Sequence, residues 1–509
     1  MSDIVHPTLR ANSLHISLGA IARLIVSLIS IPLLVRFLGL ERYGIWVVLN
    51  SFIAIAGLME LGISVAFTNY LSADYARHDW NSANQNVTTS FVLLTCLGAL
   101  TSAGLWLAHP LIAGEFFFED SSRVDALLAL GVLPWLLLLR FWQQWAMAAE
   151  AAVLRYDIQA TIEASSAILS QIGVMLLALA GGSLWILSAW LLLVNSGAAI
   201  MHCLLLRRMF PYHLLLSNYS WQTANTLLCF GITQWLAGLG SSLFGYADRI
   251  IVNWFLGSEA AGLYSVATSI AIQINTLSAI PLRVLPPAIS AAKALSQSTR
   301  IREIFVRATR LNGLLVLVTL APILFWAPQL SNLLVGTEHA VLTTDILRTI
   351  ALAYGLYSLS AAGFFSAIGV GRPILNARWG IIGALFSLFM LAGFAYWIGL
   401  KGAAWGNIGY SLVLIINIQL AKIINLDYRS YLKIFYPSFI AIFAWWLLSI
   451  CVDISTLPVW SLILPFFLLA MSSTVFVSGV TFLSEIIDTV VEICKTGIFS
   501  MRGILNGNK

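Results

Sequence analysis

The chain has 509 residues, 60% of them apolar and only 10% charged, with 27 Lys and Arg against 22 Asp and Glu. A soluble surface needs roughly 25% charged residues, so this composition excludes a nucleic-acid binder, a secreted disulfide scaffold and an enzyme built on a sizeable aqueous domain. It describes a polytopic integral membrane protein, since fourteen helices at about 20 residues per crossing use roughly 280 residues.

The apolar runs are long and continuous instead of alternating, and in lipid every backbone polar group must be paired within its own segment, so they read as helices. In chain order they fall near 14–36, 43–66, 88–112, 124–149, 159–179, 185–206, 226–256, 260–282, 311–334, 346–370, 378–397, 403–423, 434–452 and 460–482. The first is too long for a signal-peptide core and ends at Arg36-Phe37-Leu38-Gly39, with no small-residue cleavage site, so it is expected to remain as span 1. Gly402-Ala403-Ala404-Trp405-Gly406 in span 12 fits a close-packing glycine motif. Beyond span 14, Ile486, Val490, Ile493 and Ile498 share one face with Lys495 and Arg502 nearby, the pattern of an interfacial helix. The five cysteines have no CxxC or metal-ligand spacing and read as buried thiols.

With the N-terminus inside, nineteen of the 27 Lys and Arg, among them Arg77, Arg155, Arg207, Arg208, Arg283 and Arg300, lie in inner segments. Five, including Arg42, Arg123 and Lys401, lie at outer ends. This asymmetry places both termini in the cytoplasm. The longest inner loop, from Arg283 to Arg310, is basic and suits an anionic leaflet.

A repeat sits at two outer turns: Arg36-Phe37-Leu38-Gly39-Leu40-Glu41-Arg42-Tyr43-Gly44-Ile45-Trp46 returns 218 residues later as Trp254-Phe255-Leu256-Gly257-Ser258-Glu259-Ala260-Ala261-Gly262-Leu263-Tyr264. Ser51 and Ser269 keep the same register. Six spans separate the copies, so the halves share one orientation. The expected fold class is an all-α polytopic membrane protein of about 14 transmembrane helices, in two parallel six-helix lobes plus two C-terminal helices. Its divisions are residues 1–224 (spans 1–6), 225–424 (spans 7–12) and 425–509 (two further spans and the tail).

The informative residues are those a bilayer should reject, because a lipid-facing Arg at mid-span costs at least about 3 kcal/mol. Span 1 holds Arg23, span 4 holds Arg140 followed by Gln143 and Gln144, and span 7 holds Asp248 and Arg249 with Gln234 and Asn253. Asp248 and Arg249 point about 100° apart on a helix and so take separate partners. Each is either an interhelical pair or part of a transport cavity. Glu60 in span 2 and Glu163 in span 5 lie nearer the inner ends, where a gate pairing and an ion contact are both open. Gln273, Asn275, Asn407 and Asn417 read as packing hydrogen bonds.

No Walker A, HExxH or GxSxG sequence occurs, which excludes ATP-driven transport within this chain and leaves no catalytic or metal site.

The order Pro32, Arg36-Phe37-Leu38-Gly39, Tyr43-Gly44 and Gly62-Ile63-Ser64 resembles the start of Wzx-type polysaccharide flippases of the multidrug/oligosaccharidyl-lipid/polysaccharide exporter superfamily. Asp248-Arg249, Phe255-Leu256-Gly257, Gly262-Leu263-Tyr264-Ser265-Val266-Ala267 and Leu285-Pro286-Pro287-Ala288-Ile289-Ser290 are similar to that family's second half. The resemblance implies a two-lobe transporter with a central cavity that opens alternately to each side. It would move undecaprenyl-diphosphate-linked oligosaccharide (an O-antigen, capsule or exopolysaccharide repeat unit) to the outer leaflet of a bacterial inner membrane. Arg23 and Arg249 would then bind the diphosphate, with Asp248 as ion or gate partner; Arg140 has no assigned family counterpart and joins them on the membrane argument alone. Asp248 or Glu60 would carry a coupling proton or Na+, with Gln144, Gln234 and Asn253 in support. No cofactor and no nucleic acid is implied; the partners are the lipid-linked oligosaccharide, membrane lipids, and glycan polymerase and chain-length proteins. Val194-Asn195-Ser196-Gly197-Ala198 departs from the run that marks the drug-extruding branch. The alternatives are a cation-coupled multidrug or metabolite exporter of the same fold and a membrane glycan polymerase or ligase, which would need a longer outer loop than Gly114 to Arg123.

Overall fold

The computed structural model describes Val26 and residues 29–117, 120–209 and 214–451. Arg23, span 14 and the expected interfacial tail lie outside the described residues. The chain is all-helical there, and eleven of its helices are long and apolar enough to cross a membrane. The N-terminal half contains α1 (Ile29–Leu38), α2 (Leu40–Gly57), α3 (Ile63–Arg77), α4 (Trp80–Phe116), α5 (Asp120–Ala152), α6 (Tyr156–Leu179) and α7 (Leu184–Met209). The C-terminal half contains α8 (Trp221–Ala279), α9 (Leu285–Ala294), α10 (Ser298–Phe325), α11 (Ala327–Ser358) and α12 (Ala361–Val370). It continues through α13 (Ile374–Ile398), α14 (Leu400–Gly406), α15 (Ile415–Ile423) and α16 (Tyr428–Cys451).

The outer turns are far tighter than loops. Between α1 and α2 a single residue, Gly39, leaves the helix, with φ 79° and ψ 162°. Its repeat equivalent Gly257 interrupts α8 at φ 84° and ψ 174°. Gly336 in α11 (φ 80°, ψ 173°) and Gly399 before α14 (φ 75°, ψ −149°) make the same turn, which the repeat pattern did not show. This backbone region is open essentially to glycine alone. Spans 7 and 8 are therefore one helical run broken at one residue, and the expected loop between spans 9 and 10 is helical on both sides of Gly336.

Two other features differ from a plain reading of apolar runs. Span 2 is not continuous: Leu58–Glu60 tightens to a 3-10 turn, then Leu61 (φ 53°) and Gly62 (φ 69°) both adopt left-handed conformations before α3 begins. The long basic inner loop contains α9 and the start of α10. The cysteines differ as well: Cys96, Cys229 and Cys451 are exposed, as a thiol apolar enough for lipid allows.

Two compact units emerge from the packing. The first holds residues up to Ser269 with Ser331–Ile346 and Asn376–Tyr410; the second holds Ile270–Leu330, Leu347–Leu375 and the chain from Ser411. In the first, α5 packs against α2, α3, α4, α6 and α7. Phe67 stacks on Trp145 at 6.4 Å between ring centroids, and the Trp145 indole donates to Ser90 Oγ at 3.2 Å. Asp125 of α5 accepts from Arg42 (2.9 Å) and from the first backbone N–H of α7 at Leu184 (3.0 Å), capping α7 from a neighbouring helix. Gly402 and Gly406 of α14 lie directly against Phe394 and Leu391 of α13, the close packing expected of their spacing.

In the second unit α10 packs on α16, with Phe305 stacked on Tyr431 at 5.9 Å and Phe325 edge-on to Trp445 at 5.3 Å. Asn417 donates to the Leu359 carbonyl at 2.9 Å, the packing hydrogen bond expected of it.

Candidate functional site

The first unit encloses a cavity of about 540 Å³. Each wall is one face of an amphipathic stripe, repeating at three and four residues along its helix. From α5 come Arg140, Gln143, Gln144 and Met147; from α6 come Glu163, Ser166, Ser170 and Gln171; from α7 come Leu191, Asn195, Ala198 and His202. The α2 face contributes Tyr43, Trp46, Asn50 and Ser51, and α8 contributes Tyr246, Arg249 and Ser269. Ser51 and Ser269, 218 residues apart in the repeat, thus line one space.

The polar walls are tied to their own scaffold. Gln143 donates to the Asn195 carbonyl at 2.7 Å, and Asn195 to the Leu191 carbonyl at 2.7 Å. Arg249 Nη1 donates to the Gly245 carbonyl at 3.1 Å, which holds that guanidinium along α8. Arg140 makes no ion pair among the described residues. The charged groups on the wall are two guanidinium ions and one carboxylate, Glu163. Such a space suits an anion, because two planar guanidinium forks can each give parallel hydrogen bonds to phosphate oxygens.

Of the residues singled out from sequence, Arg140, Arg249 and Gln144 meet on this cavity. Arg23 lies outside the described residues. Asp248, adjacent to Arg249 in sequence, faces away from the cavity and is wholly buried. Tyr264 donates its hydroxyl to Asp248 Oδ2 at 3.0 Å, and Asn407 donates to the Tyr264 hydroxyl at 2.7 Å. Asn253 is buried too, donating to the Phe116 carbonyl at 2.8 Å and accepting from Ser258 at 2.9 Å. Glu60 sits at the break in span 2, where Ser64 donates to it at 2.7 Å, and Gln234 is half-buried on α8; neither lines the cavity.

Sequence reasoning missed His202 and Glu150. Glu150 falls one residue past the expected end of span 4, and His202 reads as one of seven scattered histidines. In the fold they form a buried pair, with His202 Nδ1 at 2.9 Å and 3.0 Å from the two carboxylate oxygens. The signal was available: both are ionisable residues inside apolar helices.

The family model described as "Polysaccharide biosynthesis protein" matches residues 33–343, which include every described wall of the cavity except part of α1. The chain belongs to this family. The expectation of a Wzx-like polysaccharide family member therefore holds, and the family is one of transporters, not enzymes. The chain is 21% identical over 410 residues to a "Putative O-antigen transporter" of Shigella flexneri, covering 78% of this chain and 94% of that protein. It is also 21% identical over 392 residues to the membrane protein EpsK of Bacillus subtilis (strain 168), covering 66% and 76% respectively. Among solved structures it resembles the lipid II flippase MurJ in an inward closed conformation, with TM-score 0.69 and 14% identity over 92% of this chain and 99% of that one. It also resembles an inward-facing multidrug resistance MATE transporter, with TM-score 0.63 and 16% identity over 79% and 98%. The fold is that of the multidrug/oligosaccharidyl-lipid/polysaccharide exporter superfamily, and the protein is multi-pass in the membrane.

Proposed function

We propose that this transporter moves a polyprenyl-diphosphate-linked oligosaccharide, such as an O-antigen, capsule or exopolysaccharide repeat unit, from the inner to the outer leaflet of a bacterial cytoplasmic membrane. The observation that carries the proposal is the convergence of Arg140 and Arg249 on one polar cavity, in a chain of a polysaccharide biosynthesis family. The two guanidinium groups would hold the diphosphate by charge-assisted hydrogen bonds, the glutamines, asparagines and serines would meet sugar hydroxyls, and the polyprenyl tail would stay in lipid. Similarity to an O-antigen transporter and to a lipid II flippase supports a lipid-linked sugar as cargo.

In this reading the full chain has fourteen spans, two six-helix lobes (residues 1–224 and 225–424) with a C-terminal extension, and both termini in the cytoplasm. Arg23 joins the two described arginines. Moving roughly two negative charges outward across an inside-negative membrane is favourable by about 4–5 kcal/mol per 100 mV, so no nucleotide is required. Asp248 and Glu60 remain ion-coupling or gate residues in the proposal, with Gln234 and Asn253 as their support.

The shared fold with multidrug transporters supports a second reading, a cation-coupled exporter of drugs or metabolites. Expression in a strain lacking its own glycolipid flippase separates the two. Restored surface glycan, lost in Arg140→Ala/Arg249→Ala, supports the first; a change in drug resistance with no glycan supports the second.

A further inference from the structure

Behind the cavity wall lie two ionisable groups that the proposed diphosphate contacts do not use. Glu150, near the end of α5, is wholly buried, and His202 of α7 is 2% exposed. Both carboxylate oxygens reach the same imidazole nitrogen, at 2.9 Å and 3.0 Å. His202 forms part of the cavity wall and Glu150 does not. The ring therefore stands between a buried carboxylate and the space that holds Arg140 and Arg249. No cluster of three His, Cys, Asp or Glu that could hold a metal ion occurs among the described residues, so a proton is the ligand this pair fits.

We propose that Glu150 and His202 form a proton-binding site of the cavity, which takes up a proton when a diphosphate enters and releases it when the diphosphate leaves. The linkage rests on the cargo reading above; the proton site itself does not. When Nδ1–H donates to the carboxylate and Nε2 is unprotonated, the pair carries one negative charge. One proton from water, added at Nε2, makes an imidazolium–carboxylate pair with no net charge, and no other bond changes. A buried group with net charge is poorly solvated, which favours the protonated pair. The empty cavity opposes it, because the guanidinium groups of Arg140 and Arg249 repel an imidazolium. An anion bound between them cancels that repulsion. Linkage is reciprocal, so a diphosphate that raises proton affinity is itself held more tightly by the protonated protein.

The ionisable groups within electrostatic reach of the pair are Glu163 and Asp157 on α6 and Cys203 and Arg207 on α7. Arg140, Arg249, Tyr43 and Tyr246 face it from the cavity wall. Asp157 is held by Arg155 at 3.0 Å and 3.1 Å, which leaves Glu163 as the competing acid on the cavity side.

The test uses the full-length protein in lipid nanodiscs, titrated with polyprenyl diphosphate by calorimetry in two buffers of different ionisation enthalpy, near neutral pH. His202→Asn keeps an amide that can donate to Glu150, and Glu150→Gln is the second variant. The expected result is proton uptake on binding by the wild type that both variants lose, while their affinities stay within about tenfold. Equal uptake in all three overturns the linkage and points to Glu163. Nuclear magnetic resonance of ring-labelled histidines gives a readout that needs no cargo: the signal absent from His202→Asn should titrate in the apo protein and shift to higher pH on adding ligand. A His202 signal that does not titrate between about pH 5 and 9 overturns the proton site. A titrating His202 in a protein that binds no polyprenyl diphosphate upholds the proton site and removes the cargo reading.

Discussion

Gly44 and Gly262, equivalent positions of the repeat 218 residues apart, each pack against the other's turn. A Cβ on Gly44 would collide with the carbonyl oxygen of Ser258, and one on Gly262 would lie 2.5 Å from the carbonyl oxygen of Leu40. Leu40 and Ser258 are themselves equivalent, so the contact is self-complementary about a local two-fold axis, as in a symmetric dimer but within one chain. Both obstructing atoms are backbone, which no rotamer change can move aside.

Gly44→Ala and Gly262→Ala should therefore part the two turns. If these tips close the outer side of the cavity, Ser51→Cys in a cysteine-free background should react several-fold faster with an impermeant maleimide, added outside, when either alanine is present. Unchanged labelling would mean that the tips are packing without closure.

Gly257→Ala tests the one-residue turn. At φ 84° and ψ 174° a Cβ-bearing residue is strained by about 1–3 kcal/mol, so the detergent-solubilised protein should melt several degrees lower. Gly104→Ala, in α4 with open space where its Cβ would go, should leave the melting temperature level or raise it.

Tyr264→Phe should destabilise without touching the cavity. It removes the hydroxyl that Asp248 and Asn407 share, leaving buried polar groups short of a partner at a cost of about 1–3 kcal/mol. A lower melting temperature with transport retained per folded molecule marks this network as structural. Transport lost at full stability would return Asp248 to the coupling machinery.

Arg140→Ala and Arg249→Ala should each weaken binding of a polyprenyl diphosphate. A charge-assisted hydrogen bond contributes about 1.5–3 kcal/mol, or roughly 10- to 100-fold in affinity. Lysine at either position should recover part of the loss, since it keeps the charge and loses the planar fork. Fluorescence binding to nanodisc-embedded protein measures both.

The residues that proved legible in sequence are those a bilayer penalises. Arg140 and Arg249 stand out in apolar helices without any knowledge of the fold, and the cavity they share follows from the need to keep them out of lipid. Gly39 and Gly257 were visible as a repeat, whereas Gly336 and Gly399 make the same turn in different surroundings, because the turn requires only glycine and not its neighbours. The break at Leu61 and Gly62 left no mark on hydropathy, since leucine in a left-handed conformation is held there by packing and not by preference. Glu150 and His202 pair because particular faces of α5 and α7 meet, and periodicity on one helix does not specify the register of its neighbour.

The most direct measurement reconstitutes the purified protein in proteoliposomes with a polyprenyl-diphosphate oligosaccharide and follows its appearance in the opposite leaflet by glycosidase accessibility, with and without a membrane potential. The account predicts protein-dependent translocation that the potential accelerates and that Arg140→Ala/Arg249→Ala abolishes. Translocation no faster than in protein-free vesicles, or equal in wild type and the double variant, would contradict it.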